Sequence, residues 1–145
     1  MVHDLYFDRS TTTVDGKLTL HKDGKPVFKQ LAARSGQAGH TSTNWETGKS
    51  PIPFGRHWLQ ARYNLLQMAP KNTPFFPIAT GKGQRVIWEG GQRNRQRKDI
   101  GLHKENQYKG SAGCVVIVNP DEADALFHYL TMLANAEPYL RFVVL

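Results

Sequence analysis

Cysteine is nearly missing from this sequence of 145 residues, which contains one, Cys114. A single cysteine excludes an internal disulfide and any zinc site built from several thiolates, and it leaves Cys114 as either a packing residue or a reactive thiol. No run approaches the roughly 18 consecutive apolar residues of a membrane-spanning helix, so no membrane span is expected. The opening residues Met1-Val2-His3-Asp4-Leu5-Tyr6-Phe7 lack both the basic start and the apolar core of a secretory signal. Synthesis in the cytoplasm is expected. Action outside it would then need a dedicated delivery machine, a lysis event or a signal that has been removed. His3, His21, His40, His57 and His128 have no paired ligand spacing and no carboxylate set beside them, so neither a metal nor another cofactor is expected. Internal repeats and a second domain are also missing, and residues 1–145 read as one domain. A chain of this length buries about 68% of its extended surface around a single core.

What is present is positive charge and turn-forming residues. A net charge of +7 and a pI near 9.7 point to an anionic partner, whether nucleic acid, acidic membrane or a carboxylate-rich polymer. With 39% hydrophobic residues, 21% charged residues, 13 glycines and 8 prolines, the composition is that of a turn-rich globular domain and not of a disordered or fibrous one.

The pattern along the chain predicts a mainly β fold, a sheet or small sandwich with one main helix. Asp15-Gly16 and Asp23-Gly24 read as hairpin turns flanking the alternating segment Lys17-Leu18-Thr19-Leu20, and Pro26-Val27-Phe28-Lys29-Gln30-Leu31 as the next strand of a meander. Residues 35–53 read as a long loop. Strands are then expected at Arg56-His57-Trp58-Leu59-Gln60-Ala61-Arg62-Tyr63, Val86-Ile87-Trp88 and Ile100-Gly101-Leu102-His103. Residues 90–99, with Arg93, Arg95, Arg97 and Lys98, read as a solvated basic loop. Val115-Val116-Ile117-Val118 has the continuous apolar character of a strand buried on both faces. Asn119 then supplies an N-cap with Pro120 at the first helical position, and Ala123, Leu126, Phe127, Leu130, Leu133 and Ala134 share one helical face. Pro138 closes the helix, and residues 139–145 return as a strand.

Chemistry concentrates in Ile100-Gly101-Leu102-His103 and Gly110-Ser111-Ala112-Gly113-Cys114. Gly110 and Gly113 let a substrate approach the main chain, and Ser111 sets a short hydrogen-bonding side chain beside the thiol. A thiol with a pKa near 8.5 is only a few per cent ionised at neutral pH, so a nucleophilic Cys114 needs a base within reach. His103 ends one predicted strand and Cys114 begins another, and pairing of the two would set imidazole against sulfur. The backbone N–H groups of Gly113 and Cys114 would then face the oxyanion of an attacked acyl group. Trp45, Trp58 and Trp88 read as core residues and His57 as a strand-surface histidine.

The pattern Ser111-x-Gly113-Cys114, preceded by His103 and followed by Asn119-x-Asp121 and Leu126, resembles the catalytic core of the L,D-transpeptidase family, often called YkuD-type. Ser50-Pro51-Ile52-Pro53-Phe54-Gly55 is similar to that family's Thr/Ser-Pro-x-x-x-Gly segment, and Arg34-Ser35-Gly36 to the end of an early family strand. Ala112 stands where the family usually has histidine, Val116 where it usually has arginine, and His103 lies closer to the cysteine than usual. That compact form is most similar to the branch containing secreted antibacterial effectors that act on peptidoglycan. The resemblance implies Cys114 as nucleophile, His103 as base, Ser111 beside them and no cofactor. It also implies acyl transfer on peptidoglycan stem peptides, as transpeptidase, carboxypeptidase or D-amino-acid exchanger, with a delivery machine and an immunity protein as possible partners. With Val116 in place of arginine, Arg93, Arg95, Arg97 and Lys109 are the candidates to meet substrate carboxylates.

Two other classes compete. A nucleic-acid-binding module would use the basic stretch 85–98, but no helix-turn-helix, zinc-finger or RNA-recognition sequence accompanies it. A cell-wall cysteine peptidase or amidase of another fold would start a helix at its cysteine, whereas an apolar run follows Cys114.

Overall fold

Alternation of apolar residues turns one face of each strand toward a shared interior. In the computed structural model, residues 2–9, 13–36, 51–66, 73–89, 92–105 and 113–145 are described, with 88–89 and 92–96 as backbone only. Leu5 and Phe7 of β1 (His3–Arg9) meet Leu18 and Leu20 of β2 (Asp15–Lys22). Leu31 and Ala33 of β4 (Leu31–Ser35) and Leu59 of β5 (Gly55–Gln60) continue the same core. So do Phe76 and Ile78 of β7 (Pro74–Ala79), Leu102 of β10 (Gly101–Lys104), and Val115 and Ile117 of β11 (Val115–Ile117). Leu140, Phe142 and Val144 of β12 (Tyr139–Val144) complete it.

The strand order is β1-β12-β5-β7-β10-β11-β4-β2, and β1 also pairs with β2. The expected sheet or sandwich therefore closes on itself as a ring. Most neighbours are antiparallel, while β1 with β12 and β10 with β11 are parallel. The short β3 (Lys25–Pro26) extends β2, β6 (Asn64–Leu65) pairs with β7, and β8 (Val86–Glu89) forms a separate ribbon with β9 (Gln92–Lys98).

Helix α1 (Pro120–Leu133) follows β11 directly. Its cap is the one expected: Asn119 Oδ1 accepts from the backbone N–H groups of Asp121 and Glu122, at 2.9 and 3.2 Å. Ala123, Leu126, Phe127 and Leu130 are buried, and Phe127 packs against Phe76 at 4.9 Å between ring centroids. Ion pairs Lys29–Glu122 and Lys104–Asp124 pin the helix to the end of the ring where β10 and β11 finish.

Several expectations are corrected. Asp15-Gly16 is the start of β2 and not a turn; Gly16 has no side chain because a Cβ there would strike the Phe7 ring and the Asp8 carbonyl. Asp23-Gly24 is a turn, with φ of 50° and 82°, the left-handed pair of a tight hairpin. The strand expected at 26–31 begins only at Leu31. Residues 37–50 of the expected long loop lie outside the described residues, but its end is fixed, with Ile52 fully buried. The basic stretch is strand β9, not a solvated loop, and it pairs with β8. Strand β7, Pro-Phe-Phe-Pro-Ile-Ala, went unpredicted because two prolines interrupt it and it has no alternation to read. Of the tryptophans, Trp58 is half-buried beneath the Lys82 ammonium, 4.4 Å from the ring centroid, and is not a core residue. Trp45 lies outside the described residues, as does the side chain of Trp88.

Candidate active site

Parallel pairing of β10 and β11 sets Leu102 opposite Val115 and His103 opposite Val116. One residue earlier, Gly101 stands beside Cys114. Side chains alternate across a strand, so with Leu102, Val115 and Ile117 directed into the core, His103, Cys114 and Val116 share the outer face. The sequence-predicted base and nucleophile are thus on one face of adjacent strands, two positions apart in register. Phe75 of β7 borders the same face, its ring tilted against that of His103 at 6.1 Å between centroids.

His103 is buried, and its Nδ1 lies 2.6 Å from the Lys104 carbonyl oxygen. A carbonyl only accepts, so the proton sits on Nδ1 and the lone pair on Nε2. Burial lowers the His103 pKa from the ordinary 6.5, and the Lys104 carbonyl partly opposes that. The imidazole is therefore neutral at neutral pH, in the form that can take a proton. Cys114 Sγ donates toward the Asp99 carbonyl at 3.7 Å. Burial pushes the thiol up to about 11, while the Gly101 backbone N–H and the Arg97 charge pull it down and Asp99 pushes it up. At neutral pH the two groups are a thiol and a neutral imidazole.

Gly113 carries the turn into Cys114 with φ of 104°, a backbone state that L side chains rarely adopt. Its carbonyl accepts from Ser35 Oγ at 3.0 Å, and the same Oγ accepts from the Ile52 N–H at 2.7 Å. Ser35 is fully buried and ties the turn before Cys114 to the segment 51–53. Three basic side chains hold the carbonyls of that segment: Arg97 Nη1 at 3.5 Å from Pro51, Arg9 Nη1 at 2.7 Å from Ile52 and His57 Nε2 at 2.9 Å from Pro53. Arg9 also lies over the Phe54 ring at 3.8 Å. His57 is buried, not a strand-surface residue, and burial lowers its pKa.

Of the basic candidates for substrate contact, Arg97 alone is placed, and it is turned inward against Gly113. Lys109 and Ser111 lie outside the described residues, and Arg93 and Arg95 are described as backbone only. The ties made by Ser35 and Arg9 had no local signal: each joins segments far apart in the chain. A groove of about 700 Å³ opens on the outer faces of β2 and β4, with Asp15, Lys17 and Arg34 among its walls. Cys114 and His103 do not line it.

No protein-family model matches the sequence, and no curated protein matches it. Among solved structures the fold is similar to that of an L,D-transpeptidase (Yku) from Stackebrandtia nassauensis, with a TM-score of 0.59 and 18% identity. The likeness covers 100% of this chain and 56% of that one, so the chain spans a little over half the length of its structural neighbour. The chain has the mainly β fold of an L,D-transpeptidase.

Proposed function

We propose that this chain is a cysteine acyltransferase of the L,D-transpeptidase kind, acting on peptidoglycan stem peptides through a thioester on Cys114. What carries the reading is the parallel register of β10 and β11, which sets Cys114 and His103 on one face with the imidazole proton held on Nδ1. The fold of the solved neighbour supports it, and so does a net charge of +7 on a protein whose substrate would bear many carboxylates.

In this reading Cys114 Sγ attacks the carbonyl of the third stem residue, a diaminopimelate type, while His103 Nε2 takes the thiol proton. The oxyanion is met by the Gly113 and Cys114 backbone N–H groups. Collapse breaks the bond to the terminal D-alanine, whose amine receives the proton from His103. Water then releases the stem, a free D-amino acid exchanges into it, or the amine of another stem forms a cross-link. Ser111, two residues before Gly113 in the sequence, is the further candidate on this segment, and Arg93, Arg95 and Lys109 are the candidates for the stem carboxylates. The compact active-site segment favours the carboxypeptidase and exchange outcomes of a secreted antibacterial effector. Its action would then lie in the periplasm or cell wall after delivery by another route, with an immunity protein as its counterpart.

The test is incubation with tetrapeptide muropeptides, with and without a D-amino acid, followed by mass spectrometry beside Cys114→Ala. Loss of D-alanine marks carboxypeptidase action, replacement marks exchange, and dimers mark cross-linking. Intact stems with no acyl adduct on Cys114 would overturn the reading.

A further inference from the structure

The strand that carries the cysteine has no cation of its own, since Val115, Val116, Ile117 and Val118 follow it. One reaches it from elsewhere. Arg97, near the end of β9, is buried at 5% exposure and anchors Nη1 on the Pro51 carbonyl. Its guanidinium lies against Gly113: a Cβ built there would stand 3.0 Å from the guanidinium carbon and closer still to Nη2. Taking a guanidinium out of water costs several kcal/mol unless an opposite charge compensates it. Desolvation does lower the Arg97 pKa, and the charge that opposes this is that of Cys114. Among the described residues the Gly101 N–H also acts on the sulfur, favouring the thiolate, as does Asp99, disfavouring it, while His103 shares its face two positions away in register.

We propose that Arg97 is a positioning residue for Cys114: anchored on Pro51 and laid against Gly113, it holds a fixed positive charge beside the sulfur and is the reason position 113 has no side chain. The inference rests on Cys114 being the nucleophile of the reading above. Charge reaches the developing thiolate from β9, in place of the arginine that Val116 displaces from the cysteine's own strand. Gly113 is then required twice, by its positive φ and by the space the guanidinium takes.

The experiment is alkylation of the full chain by iodoacetamide from neutral to alkaline pH, read by mass spectrometry. The adduct on the peptide that carries Cys114, the chain's single cysteine, is the readout. Loss of the charge in Arg97→Met is expected to move the profile up by about one pH unit, slowing alkylation about tenfold at a given pH below the midpoint. Gly113→Ala, which displaces the guanidinium, is expected to do the same, while Arg62→Met at an exposed arginine leaves the profile in place. A folded Arg97→Met with the wild-type profile would overturn the proposal. If that variant does not fold, the neutral Arg97→Gln decides: about tenfold slower alkylation is expected, and an unchanged rate overturns it. Iodoacetamide needs no stem peptide. A chain that shows this dependence on Arg97 yet leaves muropeptides intact would refute the peptidoglycan reading alone.

Discussion

The two ends of the ring solve the problem of buried polar groups differently. At the helix end, polar side chains meet one another: His3 Nδ1 lies 2.7 Å from Glu137 Oε1, His3 Nε2 lies 3.2 Å from the Tyr129 hydroxyl, and Arg141 Nε donates to Asp4 at 2.9 Å. At the cysteine end, Arg9, Arg97 and His57 are set on main-chain carbonyls, and each is shifted by desolvation toward its neutral form. Salt bridges at the first end add rigidity to a cap. The positive potential retained at the second is what the proposed reaction, with its thiolate and oxyanion, would draw on.

The sharpest way to separate the ends is to remove the Cys114 thiol. Cys114→Ala is expected to abolish turnover of muropeptides while the melting curve keeps its shape, and His103→Ala to lower kcat by about 10²–10⁴. Unfolding of Cys114→Ala would instead make the cysteine a packing residue. Next comes pH. With His103 held below its ordinary 6.5 by burial, activity should be level above that value and fall about tenfold per unit once the imidazole protonates, as a pH–rate profile would read. Stability follows the same direction, because the unfolded chain binds protons that buried His57 and His103 refuse. Their contribution is fully present above 6.5 and lost as pH falls through the lowered values. That of Cys114 runs oppositely, present below the ordinary thiol range and lost as pH rises through about 11.

At the helix end the expected effects are on stability alone. Phe76→Ala, which empties the contact with Phe127, should cost about 3–5 kcal/mol in urea unfolding and leave the alkylation profile of Cys114 unmoved. Ser35→Ala lies between the two ends in character. It strands the Ile52 N–H and the Gly113 carbonyl, at about 1–3 kcal/mol, and loosens the turn on which Cys114 sits, so turnover should drop with stability. Asn119→Ala should be mildest, about 1 kcal/mol for a lost N-cap, with turnover intact.

How much of this was legible beforehand depended on range. The N-cap at Asn119, the buried run after Cys114 and the left-handed turn at Asp23-Gly24 are local events written within four or five residues, and they stand as read. The adjacency of the segments carrying His103 and Cys114 was legible because the two are close in sequence. Arg97 was one of four equivalent basic residues until strand β9 turned it inward, since a run of charge looks the same whether it borders water or a buried carbonyl. Ser35 and Arg9 could not be found at all: the atoms they join belong to residues 17 to 78 positions away. Strand β7 escaped because its neighbours on both sides, and not its own pattern, make it a strand.

Ring closure has a consequence for how the molecule is made. Strand β12 sits between β1 and β5 and supplies the parallel partner of the first strand from the far end of the chain. During synthesis β1 and β5 must therefore wait, each with one ladder of hydrogen-bonding groups open, until β12 has emerged. Loop-closure entropy makes such distant pairing slow, and open strand edges are where chains join one another instead. Loss of the residues from Tyr139 onward would thus leave no smaller folded domain, but a chain with two exposed edges and a tendency to aggregate.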